Sequence, residues 1–174
     1  MRLFVAVNFN ERTKSGLLAL RDELRENSSR GRFSAPENLH LTLVFLGDCD
    51  AKRAADVKAE MDALAFEPFD IAIGSVGRFK RDGGDIWWAG VQANKKLTDL
   101  QQNLTSGLRA VGFELENRKY SPHITLGREV VTQAVPRKIT PFGETVGSIE
   151  LMKSERLNGK LTYTAVHSKS ALLK

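Results

Sequence analysis

A single cysteine, Cys49, is all the thiol chemistry this 174-residue chain possesses. That excludes an internal disulfide and every multi-cysteine metal site. The thiol is also poorly placed as a nucleophile, because Asp48 and Asp50 flank it and negative charge disfavours the thiolate. Long apolar runs are missing too. The one near the start, residues 3–7 (Leu-Phe-Val-Ala-Val), is too short to span a bilayer, and Asn8 follows it without a small-residue cleavage site. No membrane association is expected, and the cytoplasm is the expected compartment. Triphosphate-binding loops are absent as well: Gly83-Gly84 is not followed by Lys-Ser/Thr, and no Gly-x-Gly-x-x-Gly opens a helix. Nor is there a long Lys/Arg block, although the net charge of +5 favours encounter with a polyanion.

What remains is an ordinary soluble composition, 41% hydrophobic and 27% charged, in a chain sized for one domain of two small lobes. Strands are expected at residues 3–7, 39–46, 69–76, 86–91, 123–128, 146–153 and 161–168. Helices are expected at 11–25, 51–64 and 95–111, where leucines or other apolar residues recur at helical spacing. Asn10 and Asp50 suit N-caps, Gly112 a C-terminal stop, and Asn158-Gly159 a hairpin turn. The order of elements reads as two related halves with no Pro/Gly/Ser-rich linker between them. The expected fold is α+β: two pseudo-symmetric lobes, each an antiparallel-rich sheet with helices on its outer face, around a shared cleft within a single domain, 1–174.

Two of the three histidines sit in one repeated tetrapeptide, His40-Leu41-Thr42-Leu43 and His123-Ile124-Thr125-Leu126, 83 residues apart. On a strand, side chains alternate faces, so each copy presents His and Thr about 7 Å apart on one side and two aliphatics on the other. Two imidazoles titrating near neutrality can supply the base and the acid of one turnover. Two hydroxyls beside them can donate to an anionic oxygen. The combination fits in-line displacement at phosphorus, one imidazole deprotonating the attacking oxygen and the other protonating the departing one. A metal site would want a third protein ligand, and Thr is a poor one, so no metal and no cofactor is expected. His167 lies in no motif and reads as structural.

These strands, with the flanking Pro36-Glu37-Asn38-Leu39, Val44-Phe45-Leu46-Gly47 and Ser121-Pro122 through Gly127-Arg128, resemble the two-histidine phosphoesterase superfamily. Within it, the chain is similar over nearly its whole length to bacterial and archaeal RNA 2',3'-cyclic phosphodiesterases, also called 2'-5' RNA ligases. The resemblance implies metal-independent hydrolysis of RNA 2',3'-cyclic phosphate ends to a 2'-phosphate, with some members joining or cleaving 2'-5' linkages in tRNA. It implies His40 as the acid for the leaving 3' oxygen, His123 as the base for water, and Thr42 and Thr125 on the phosphate oxygens. Arg128 is a further candidate for the phosphate. A regular strand would place it on the Leu126 side, so it would reach the phosphate only if the strand ended at Gly127.

Base or RNA contacts are sought among Phe33, Tyr163 and Arg78, with Phe79, Lys80 and Arg81 nearby and Phe45 expected in the core. Of Trp87 and Trp88, one is expected in the core and one partly exposed. The partner is then RNA with a cyclic phosphate end, tRNA fragments included, and the protein a monomer. Alternatives are a phosphodiesterase for another 2'-5' or cyclic nucleotide linkage, and an RNA-end binding module that does not turn over.

Overall fold

The computed structural model describes residues 1–173 and contains nine strands and three α-helices among them. In chain order these are β1 (Arg2–Asn8), α1 (Glu11–Glu26), β2 (Ser28–Phe33), β3 (His40–Asp48), α2 (Ala51–Ala63), β4 (Phe69–Phe79) and β5 (Asp85–Val91). There follow α3 (Lys95–Ala110), β6 (His123–Thr132), β7 (Arg137–Val146), β8 (Ser148–Leu157) and β9 (Lys160–Ser170). A 3-10 turn at Pro36–Asn38 leads into β3.

The helix signals act as their chemistry demands. Asn10, Asp50 and Asn94 each accept a hydrogen bond from the backbone N–H three residues on, which satisfies one orphan donor of the first turn. Gly112 follows α3 with φ 98, the left-handed conformation a helix stop favours. Asn158 and Gly159, both at positive φ, turn β8 into β9.

Two antiparallel sheets form, with strand orders β3-β1-β8-β9 and β2-β6-β5-β4-β7. Each contains one motif strand, β3 in the first and β6 in the second. The sheets are not successive halves of the chain: the four-stranded one takes β1 and β3 from the beginning and β8 and β9 from the end. Helix α1 follows a strand of the four-stranded sheet but packs on β2, β6 and β7 of the other, while α2 packs on α3 and β9, and α3 also meets β3 and β4. A continuous core runs through both sheets, from Leu41 and Leu43 of β3 to Ile124 and Leu126 of β6, with Trp87 fully buried in it.

Two strands have no alternating apolar pattern and go unseen in the sequence. β2, Ser-Ser-Arg-Gly-Arg-Phe, is an edge strand paired to β6 without an apolar stripe, and its Arg32 also bridges Glu129 of β6 at 2.7 Å. β7 contains Pro141 and Gly143 and is the opposite edge, where a strand tolerates a missing N–H. Its register to β4 shifts between Ile73 and Ser75, so Pro141 falls where the ladder is interrupted.

Gly143 pairs with Ala72, and a Cβ there would run into the backbone carbonyl of Ile71. Backbone cannot step aside as a side chain does. Gly143→Ala is therefore expected to lower unfolding stability by about 1–3 kcal/mol, measured as a lower urea midpoint at unchanged slope.

Candidate active site

The site is built on the two motif strands, and their exposure patterns are the same residue for residue. In His40-Leu-Thr-Leu-Val-Phe45 and His123-Ile-Thr-Leu-Gly-Arg128 the sequence runs half-buried, buried, half-buried, buried, buried, exposed. Register explains the doubled buried position. On β3, Val44 pairs with Val5 and Thr42 with Ala6, so Leu43 is an extra residue; on β6, Gly127 pairs with Trp87 and Thr125 with Trp88, so Leu126 is extra. Each motif thus closes on a β-bulge, which resets the alternation by one.

The bulges decide two assignments. Phe45, expected in the core from strict alternation, is turned out and 53% exposed, with Arg2 over its ring. Arg128 is turned from the Leu126 side to the side of His123 and Thr125. β6 does not end at Gly127 but runs on to Thr132, so the bulge, not a strand end, brings Arg128 round.

Each imidazole is held from behind. His40 Nδ1 lies 2.8 Å from the carbonyl of Asn38, and His123 Nδ1 lies 2.7 Å from the carbonyl of Ser121. A carbonyl only accepts, so both Nδ1 atoms carry the proton and donate, and each neutral ring keeps its lone pair on Nε2. His40 Nε2 is 2.9 Å from Thr42 Oγ1, whose hydroxyl donates to it when the ring is neutral.

Aromatic walls complete the pockets. His40 stands between Phe4 of β1 and Tyr163 of β9, ring centroids 4.8 and 5.3 Å away, the tyrosine edge-on. Phe4 and Tyr163 join Ala6 and Met152 in a second, small apolar cluster on the cleft side of the sheet. His123 stands against Phe79, edge-on at 5.1 Å, and Trp88 at 6.2 Å. The Trp88 indole lies over Gly77, where any Cβ would collide with it.

Thr42, Phe45, Phe79, Arg81, Tyr120, His123, Thr125 and Arg128 line one cleft of about 770 Å³ between the sheets. His40 sits deeper, behind the Thr42 hydroxyl. Burial lowers its affinity for a proton; the Asn38 carbonyl partly offsets this, and the charges of Arg128 and His123 add to the depression. His40 meets this cleft through Thr42, which lines it together with His123, Thr125 and Arg128.

Two sequence candidates sit elsewhere, and a third lies beside His40. Phe33 packs over Gly127 and against the main core rather than along the cleft. Arg78 pairs with Trp87, on the opposite face of β4 from Phe79, and lies over that indole and 3.8 Å from Asp85. Tyr163 is a wall of the His40 pocket, where burial pushes its phenol up. Sequence reasoning missed Tyr120, Trp88 and Phe45 as cleft-side groups; only the bulge could have signalled Phe45. His167 contacts Asp62 of α2 at 2.8 Å, away from the cleft, as a structural residue would. Among the described residues no cluster of three or more His, Cys, Asp or Glu could hold a metal.

A fold of two antiparallel sheets with a paired His-x-Thr cleft defines a phosphoesterase, and comparison with known proteins agrees. The model of the LigT-like phosphoesterase family matches residues 7–88 and 90–163, so the chain belongs to that family. It is 33% identical over 129 residues to an RNA 2',3'-cyclic phosphodiesterase of Archaeoglobus fulgidus, covering 74% of this chain and 72% of the relative. To the protein of that name from Methanothermobacter thermautotrophicus it is 31% identical over 153 residues, 86% of this chain and 80% of the relative. Among solved structures, E. coli LigT complexed with 3'-AMP superposes with a TM-score of 0.86 at 25% identity, covering 99% of this chain and 98% of that one.

The depressed proton affinity of His40 has a measurable sign. Its ring proton should titrate by NMR with a midpoint below the ordinary value of about 6.5. Above that value folded and unfolded chains are both neutral there and His40 costs nothing. As pH falls through it the unfolded chain takes the proton first, so His40 withdraws stability until pH passes the folded midpoint. A midpoint at or above 6.5 would contradict this.

Proposed function

We propose that the protein hydrolyses RNA 2',3'-cyclic phosphate ends to a 2'-phosphate, using His40 and His123 as an acid–base pair. The observation that carries this reading is that both imidazoles have Nδ1 tied to a carbonyl two residues earlier and a Thr two residues later. Both therefore offer Nε2 for proton transfer.

In the reaction, His123 Nε2 takes a proton from water as its oxygen attacks phosphorus. The bond from phosphorus to the 3' oxygen breaks, and protonated His40 gives its Nε2 proton to that oxygen. The product carries a 2'-phosphate and a free 3' hydroxyl. Run backward with a 5' hydroxyl in place of water, the same site would join a 2'-5' linkage with the two roles exchanged. Thr125 and Thr42 donate to the phosphate oxygens. When the Thr42 hydroxyl turns to the phosphate it leaves His40 Nε2 free for the 3' oxygen. Arg128 supplies the fixed positive charge, and that charge, with burial, keeps His40 neutral until the anionic substrate arrives.

Phe45, exposed beside the cleft, offers a face on which the terminal base can stack. Substrates then include tRNA fragments with cyclic ends, handled by a cytoplasmic monomer folded as one two-lobed domain. The acid–base pair completes the proton bookkeeping alone, so no metal is required.

The test is incubation with a cyclic-phosphate-ended oligonucleotide and identification of the product. Phosphate on the 2' oxygen is expected; phosphate on the 3' oxygen would reverse the assignment, and binding without turnover would leave an RNA-end module. Substitution of His40 or His123 by Ala should lower kcat by roughly 10²-fold or more. EDTA should change nothing, and a metal-dependent rate would sink the two-imidazole mechanism.

The pH profile carries a sharper prediction. Because burial and nearby charge depress His40 in the free enzyme, one limb of kcat/KM should lie below about 6.5, and the same limb in kcat, taken with the anion bound, should lie higher. Coincident limbs would remove His40 from the acid role.

A further inference from the structure

Beyond the residues that face the phosphate, two hydroxyls far apart in sequence hold the motif strands in a reciprocal arrangement. Tyr120 lies in the segment that feeds β6, and its Oη donates to the carbonyl of Thr42, on β3, at 2.8 Å. Ser34 lies in the segment that feeds β3, and its Oγ donates to the carbonyl of Thr125, on β6, at 2.8 Å. Each approach segment therefore grips the other motif, at the same residue of the tetrapeptide.

Both grips are braced in turn. The Ser34 N–H donates to the Leu126 carbonyl at 2.9 Å, and its carbonyl accepts from Arg21 Nη1 at 2.8 Å. Tyr120 packs against the main core, and burial keeps its phenol protonated far above its ordinary range, so the donor persists at any working pH. β3 is the edge of its sheet, so a Thr42 carbonyl facing away from β1 has no strand partner to receive it. The Tyr120 hydroxyl fills that role, and Gln101 does the same for the next carbonyl, Leu43, at 3.4 Å. Both gripped residues immediately precede the bulged leucine, the point at which a motif strand is most free to shift.

We propose that Tyr120 and Ser34 are positioning residues that fix the spacing of the two imidazoles by cross-tying the Thr carbonyls of opposite motifs. Each hydroxyl gives its one proton to a carbonyl, so neither can donate to a phosphate oxygen. Their loss should therefore act on the chemical step, where a displacement of about 1 Å is enough to cost up to 10²-fold in rate, and leave ground-state binding alone.

The kinetic arm rests on the cyclic phosphodiesterase reading; the spectroscopic arm does not. Tyr120→Phe keeps the ring and removes only the donor, and Ser34→Ala removes the other. Each should lower kcat on a cyclic-phosphate-ended oligonucleotide about tenfold with KM within twofold, and Ser34→Thr, which restores a hydroxyl, should recover most of the rate. Unchanged kcat in both Tyr120→Phe and Ser34→Ala, or a loss expressed in KM alone, would overturn the proposal.

By NMR, His123→Gln should raise the His40 midpoint, because the charge of His123 disfavours protonation of His40. In a Tyr120→Phe background that rise should shrink as the rings move apart. An equal rise in both backgrounds would overturn the cross-tie even if no substrate were ever turned over, and absence of turnover with a diminished rise would condemn only the substrate assignment.

Discussion

The geometry of the candidate site depends on a short hydrogen bond from each imidazole Nδ1 to a carbonyl of its own approaching chain. A histidine has two nitrogens and no intrinsic preference strong enough to dedicate one of them to a reaction. Here the carbonyls of Asn38 and Ser121 make the choice, at 2.8 and 2.7 Å, and they make it identically in both lobes. Each carbonyl lies two residues before its histidine, where the chain turns into the motif strand, at Pro36–Asn38 in one case and at Ser121-Pro122 in the other. Proline at these entrances removes a backbone donor and keeps the approach extended or tightly turned. The turn and the tautomer are consequences of the same few residues.

The second constraint is the bulge. A strand that alternated strictly through the tetrapeptide would place the fifth residue after each histidine on the core side. By inserting Leu43 and Leu126 as extra residues, both strands bury one more apolar side chain and then expose Phe45 and Arg128 in corresponding positions. The pseudo-symmetry of the two motifs thus extends past the residues that match. Where it breaks, one lobe sets an aromatic face on the cleft and the other a guanidinium.

Much of this was legible in the sequence. Asn10 and Asp50 as caps, the leucine stripes of the helices, the Asn158-Gly159 turn and the two motif strands are all local signals, carried within a few residues. Helix periodicity and turn chemistry need no knowledge of the partner. The edge strands were not legible, because β2 and β7 pair through the backbone with interior strands and need no alternating pattern of their own. Nor were the bulges, since an extra residue is defined only against a register. That is why Phe45 was expected inside and Arg128 to depend on a strand end, and why Phe33 and Arg78, adjacent in sequence to promising neighbours, turned out on the wrong faces.

The asymmetry between the two histidines follows from the same architecture. β3 is an edge strand, so its histidine is covered by what reaches over it: Phe4 and Tyr163 from the same sheet, and the Thr42 hydroxyl in front. β6 is an interior strand, and His123 opens directly onto the cleft between Phe79 and Trp88. Two rings with one sequence motif and one tautomer thereby acquire unequal hydration. The ring that loses water loses affinity for the proton. Near-identical strands placed in unequal positions within two sheets give two near-identical tetrapeptides different surroundings.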